Sequence, residues 1–200
     1  MCGYVGFTNT TDNANIILKK MMERIRHRGP DGEGQYIDEG IALGHRRLSI
    51  IDIDSGAQPM YNEDGSLVIV FNGEIYNYRE LKNILKRNGY KFESESDSEV
   101  ALVAFIHYGP EFVNKLNGIF SIAIYDEMRN MLYLFRDHFG IKPLYYGIFN
   151  NIFIITFIFQ CSTRKRIYMP KIKGWNKMSI KRTKLKDFFN CSNLHHFFHL

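Results

Sequence analysis

Cys2 stands directly behind the initiator Met1. Removal of that methionine would leave a thiol beside a free α-amine, and an amine with a reference pKa of about 7.7–8.0 can serve as base for its own residue's nucleophile. A cysteine attacking an amide carbonyl needs donors where the oxyanion develops, and a carboxamide beside a flexible backbone amide at a strand end supplies two. Asn72-Gly73 offers that pair. If the substrate is a free amino acid, its α-carboxylate calls for a two-point arginine contact and its α-ammonium for a carboxylate. Arg47 lies just past a strand expected to end at Gly44, Glu74 follows the Asn-Gly pair, and Asp97 falls in a polar loop ahead of a helix. Taken singly, each has an ordinary reading: an Asn-Gly turn, a surface arginine, a helix cap. It is their company with Cys2 that points to covalent amide chemistry.

The elements that must position these residues can be read from periodicity and punctuation. Residues 2–7 are apolar and glycine-punctuated, which suits a buried strand starting almost at the first residue. A helix is predicted over 14–26, with Ile17, Leu18, Met21, Met22 and Ile25 on one side and Gly29-Pro30 as its stop. Strands are predicted over 35–38, 41–44 and 67–71, the last running into Asn72-Gly73. Helices fit 78–88, with Gly89 at the C-terminal stop, and 99–108. Residues 119–125 and 131–135 flank a polar turn and read as a hairpin whose two faces are both semi-apolar, so both must be covered. Strands in hairpin order predict an α+β domain with mostly antiparallel sheets.

At 200 residues the chain can bury a full core without staples. Residues 1–150 carry a net charge of −4 and residues 151–200 a net of +9, so the overall +5 describes the last quarter and is no argument that the body binds nucleic acid. Cys2, Cys161 and Cys191 form an odd set without ligand spacing, which indicates neither a disulfide framework nor a metal site. The N-terminus lacks a signal-peptide pattern, and the longest apolar run, 152–159, is far short of the roughly 20 residues that cross a bilayer. These features place the protein in the cytoplasm, away from membranes. Beyond about residue 156 the sequence turns basic and loses its period; residues 1–155 are expected to form the domain and 156–200 a poorly ordered tail.

Seven strings occur in one order: MCG at the start, RHRGPDG (26–32), GHRRLSIID (44–52), GAQPM (56–60), NGEIYNYREL (72–81), SDSEV (96–100) and RDHFGIKPLYY (136–146). Together they closely resemble the glutaminase domain of glutamine-dependent asparagine synthetases, over about residues 1–150. The resemblance implies a class II glutamine amidotransferase with the four-layer αββα sandwich of the N-terminal-nucleophile hydrolases. It assigns Cys2 as nucleophile, Asn72 and Gly73 as the oxyanion hole, Arg47 as anchor of the glutamine carboxylate, and Glu74 and Asp97 as contacts near its amine. It also implies glutamine as the small-molecule substrate, no cofactor for this chain, and ammonia passed to a separate synthetase domain that would hold ATP and Mg²⁺. Near 154–159 the family would continue into a segment like ASEIKAL, whereas this sequence departs from it, as a frameshift or premature end would produce. Two alternatives stay open: an amidotransferase subunit serving another acceptor, and an inactive remnant with a basic, nucleic-acid-binding tail.

Overall fold

The structure, a computed structural model, describes residues 2–49, 56–149, 152–157 and 178–181. In chain order these form β1 (Gly3–Thr8), α1 (Ala14–Arg24), a 3-10 turn (Arg26–Arg28), β2 (Gly32–Ile37), β3 (Ile41–Arg47), β4 (Met60–Tyr61) and β5 (Leu67–Ile75). There follow α2 (Tyr78–Arg87), α3 (Asp97–Tyr108), a 3-10 stretch (Gly109–Lys115), β6 (Gly118–Asp126), β7 (Met131–Arg136), β8 (Tyr145–Phe149), β9 (Ile152–Thr156) and β10 (Met178–Lys181). All strand pairings among the described residues are antiparallel. One sheet has the order β2-β3-β1-β9-β8 and the other β10-β7-β6-β5-β4.

Period-two alternation decides the layering. Tyr4 of β1, Leu43 of β3, Val68 and Val70 of β5 and Ala123 of β6 point into a core between the sheets. Their neighbours point outward: Val5 and Phe7 meet Leu18 and Met22 of α1, while Ile69, Phe71 and Ile122 meet α2 and α3 through Leu81, Leu85, Val100 and Phe105. Each Val, Leu, Ile, Met or Phe among them contributes about 1.5–3 kcal/mol when removed from water. The result is helix, sheet, sheet, helix, as expected. Across the middle, the Tyr4 and Ser121 hydroxyls hydrogen-bond at 2.5 Å, a polar tie between the two sheets.

Several boundaries differ from the expectation, among them α1, which ends at Arg24, and β2, which spans Gly32–Ile37; three lie at the candidate site. β3 runs on to Arg47 because β2 keeps pairing with it to Gly32, opposite Arg47. Likewise β5 continues through Asn72 and Gly73 to Ile75, since β6 supplies partners down to Gly118. The Asn-Gly pair is therefore inside a strand, neither a turn nor a strand end. α3 begins at Asp97 because the Ser96 hydroxyl caps it, accepting the Ser98 N–H at 3.1 Å. Within the region read as an irregular tail, residues 178–181 form an edge strand on β7; the rest of the tail beyond Phe157, including Cys161 and Cys191, lies outside the described residues. No helix among the described residues is long and apolar enough to cross a membrane.

Candidate active site

Cys2 is half-buried immediately ahead of β1. Gly3 stands opposite Arg46 in the β1/β3 ladder, so the preceding residue falls beside the segment that follows Arg46. Its Sγ accepts the Leu48 N–H at 3.4 Å and lies 3.5 Å from the Leu48 carbonyl. Asp31, from the RHRGPDG string, fastens the same segment: its N–H donates to the Arg47 carbonyl at 3.0 Å and its carboxylate accepts the Ser49 N–H at 2.9 Å. Asp31, Glu33, Arg47, Ser49 and Gln58 line a cleft of about 380 Å³, whose wall does not include Cys2. One guanidinium and two carboxylates give this wall charges of both signs, which suits a small zwitterion.

The second group lies along the end of β5. In an antiparallel ladder the N–H groups of alternate residues face the same way. Tyr76 bonds the Asn117 carbonyl toward β6, so the N–H groups of Phe71, Gly73 and Ile75 face away from β6, where β4 has already ended. Side chains take over there: Phe71 N–H donates to the Gln58 side-chain oxygen at 2.6 Å and Ile75 N–H to the Asp97 carboxylate at 2.9 Å. Gly73 N–H faces the same open side between these two clamps. Position 73 admits nothing larger than glycine, because a Cβ there would run into the Ile119 carbonyl and the Phe120 backbone. Beside it, Asn72 is only 2% exposed, and its Nδ2 is buried with no hydrogen-bond partner among the described residues. An amide donor buried and unpaired costs about 1–3 kcal/mol, a cost that bound substrate would relieve.

Electrostatics connect the groups. Burial pushes the Asp97 carboxyl up to about 6, against the Ile75 hydrogen bond that lowers it, and the Glu74 charge pushes the same way as burial. Glu74 itself is exposed. Lys142 is buried, which lowers its ammonium pKa; Arg28 pushes the same way, while Asp137, Cys2 and Glu74 oppose it. A structural link joins the two groups as well: His45 of β3, fully buried, donates from Nε2 to the Phe71 carbonyl at 3.2 Å, across the two sheets. A carbonyl only accepts, so the proton is on Nε2 and Nδ1 is bare. Burial holds that imidazole near pKa 4.

The candidate residues thus fall in two groups. Cys2, ahead of β1, meets Leu48, the residue after Arg47 at the end of β3; Asn72, Gly73, Glu74 and Asp97 share the β5 end and the start of α3. Among the described residues, no hydrogen bond joins the thiol to Asn72 or Gly73. Reading the residues alone missed Asp31, His45, Gln58 and Lys142. All four lie in strings already noted in the sequence, but nothing in a string says which distant backbone group a side chain will bond.

The two antiparallel sheets and their flanking helices form a four-layer αββα sandwich. The profile of the family described as "Glutamine amidotransferase domain" matches residues 1–196, and the chain belongs to that family. It is 41% identical over 195 residues to asparagine synthetase [glutamine-hydrolyzing] 1 of Bacillus subtilis, covering 95% of this chain and 29% of that protein. It is also 41% identical over 150 residues to asparagine synthetase B [glutamine-hydrolyzing] of Escherichia coli, covering 74% of this chain and 27% of the relative. The chain thus spans under a third of the length of these curated relatives. Among solved structures, the glutamine phosphoribosylpyrophosphate amidotransferase of B. subtilis superposes with a TM-score of 0.66 at 21% identity, covering 78% of this chain and 42% of that one. At that identity the likeness speaks to the fold alone.

Proposed function

We propose that this domain hydrolyses glutamine through Cys2 and supplies the ammonia for asparagine synthesis. Once Met1 is removed, the α-amine of Cys2 takes the thiol proton and Sγ adds to the side-chain amide carbon. The developing oxyanion lies between Asn72 Nδ2 and Gly73 N–H. The proton passes to the leaving nitrogen, the C–N bond breaks, and ammonia departs from a γ-glutamyl thioester. Water then adds to the thioester carbon, the C–S bond breaks, and glutamate and the thiol are released. Arg47 holds the α-carboxylate of glutamine, while Glu74 and Asp97 face its ammonium. This half-reaction needs a thiol, an amine and water; ATP and Mg²⁺ belong to the activation of the ammonia acceptor, on a synthetase region outside this chain. The cytoplasm is the compartment proposed for it.

What supports the reading is the buried Nδ2 of Asn72, without a hydrogen-bond partner among the described residues, next in sequence to Gly73, whose N–H faces away from β6. The test is glutamate release from glutamine by the purified chain, with a Cys2→Ala control and an intact-mass check that Met1 is gone. Activity that disappears in the control is expected. An active protein that retains Met1 would rule out the N-terminal base, and a folded, processed chain with no activity would rule out a self-sufficient glutaminase. Adding a separate synthetase region then asks whether the ammonia reaches asparagine.

A further inference from the structure

Gln58 belongs to the GAQPM string, and the reaction above gives it no part. It is 8% exposed and sits where three walls of the site meet. Its side-chain oxygen accepts the Phe71 N–H at 2.6 Å, and its Nε2 donates to the Ser98 hydroxyl at 3.1 Å. The orientation of the amide is dictated, since a backbone N–H only donates and must face the oxygen. Its backbone carbonyl packs so close on Gly34 of β2 that a Cβ there would overlap it. Gly34 is the ladder partner of His45, and His45 bonds the carbonyl of the same Phe71.

Both polar groups of one residue, Phe71, are thus held by side chains from outside its sheet: N–H by Gln58, C=O by His45. Phe71 directly precedes Asn72 and Gly73. Beyond the end of β4 those two groups would otherwise have no ladder partner, and an unpaired buried backbone group costs about 1–3 kcal/mol. The far side of the same stretch is fixed by Asp97 on Ile75, and Ser98, which receives the Gln58 amide, is the next residue after Asp97.

We infer that Gln58 is a positioning residue for the glutaminase reaction: by joining the Phe71 N–H to the Ser98 hydroxyl, with His45 completing the grip on Phe71, it sets the aim of the Asn72 amide and the Gly73 N–H at the oxyanion. The inference rests on the glutaminase reading above. It acts on the transition state more than on the ground state, because donors near 3 Å from the oxyanion matter most when charge has developed there.

Two substitutions test it. Gln58→Met fills the same space without an acceptor; Gln58→Glu keeps an acceptor for Phe71, with the Ser98 hydroxyl turning to donate. For Gln58→Met, kcat should fall about 10- to 100-fold, the scale of a misplacement near 1 Å, with KM for glutamine within about three-fold of wild type. Exchange of the Phe71 amide, read by NMR, should speed up at least about ten-fold while the Ile75 amide changes little. Gln58→Glu should restore both. An active wild type with an unchanged kcat in Gln58→Met overturns the proposal alone, as does a loss in which KM rises in step and Gln58→Glu gives no rescue. An inactive wild type overturns the glutaminase reading, and the exchange rates still decide whether the clamp on Phe71 exists. Should Gln58→Met fail to fold, Ser98→Ala releases the other end of the amide: a kcat loss at unchanged KM supports the proposal and an unchanged kcat overturns it.

Discussion

The Asp97 carboxylate accepts the N–H of Ile75 at 2.9 Å, which ties the first residue of α3 to the strand that carries Asn72 and Gly73. The bond places a carboxylate in a site only 6% exposed, two residues along the strand from the N–H proposed to bind the oxyanion. Stability and substrate recognition make opposite demands on that carboxylate: the fold prefers it neutral, while a bound ammonium prefers it charged.

Asp97→Asn separates the two demands. The amide oxygen keeps the Ile75 bond, and the buried charge disappears. Because the folded carboxyl titrates near 6 against an ordinary 3.8, the stability linked to Asp97 is fully present below about 3.8 and is lost as pH rises through 6. The variant should therefore be more stable than wild type at pH 7, by roughly 1–3 kcal/mol, with the gap closing toward pH 4. Its KM for glutamine should rise about ten-fold or more, the worth of one charge-assisted bond. Urea melts at both pH values decide the first point; equal stabilities at pH 7 and pH 4 would contradict the burial argument.

His45 has the opposite sign. Its imidazole is held near 4, below an ordinary 6.5, by burial and by the Arg47 charge, with the Phe71 bond opposing. Its contribution is present above 6.5 and is lost as pH falls through 4, where the unfolded chain binds the proton first. His45→Gln offers a donor to the Phe71 carbonyl and cannot titrate. It should flatten the decline in stability between pH 6.5 and pH 4, while Asp97→Asn steepens it. Parallel slopes for wild type and His45→Gln would mean that the buried ring does not control this window.

The sequence revealed the layers because alternation along β1, β5 and β6 is strong, and it revealed the types of the site residues because the chemistry of an amide substrate restricts them. What escaped it was long-range. Asn72-Gly73 looks like a strand end until β6 is seen to pair past it to Ile75; pairing across nearly fifty residues overrides a local turn signal. The four residues of β10 are too few for a period to register. Gln58 and His45 lie in strings noted in the sequence, but nothing in those strings shows that each side chain bonds a backbone group of Phe71 on another element.

Arg47→Lys tests the carboxylate anchor. Lysine keeps the charge and loses the planar two-point contact, and a lost charge-assisted bond is worth about 1.5–3 kcal/mol. KM for glutamine should rise about 10- to 100-fold, with kcat reduced much less, because the α-carboxylate is remote from the reacting carbon. Steady-state kinetics over a wide glutamine range settle this. An unchanged KM would take Arg47 out of the substrate site, although it lines the cleft.

Asn72→Ala removes a donor that no described residue accepts. Nδ2 of Asn72 is buried without a partner among the described residues, so its loss forfeits no hydrogen bond at that atom and relieves an unpaired buried group. The remaining cost is the small void left by the side chain, and the melting temperature should move by only a few degrees. If the amide meets the oxyanion, kcat should drop about 10²- to 10³-fold, the usual result of deleting one such donor, with KM changed far less. Those two readouts together are diagnostic. A large fall in melting temperature would show that Asn72 is a structural residue, and a kcat near wild type would leave Gly73 N–H as the oxyanion donor on this strand.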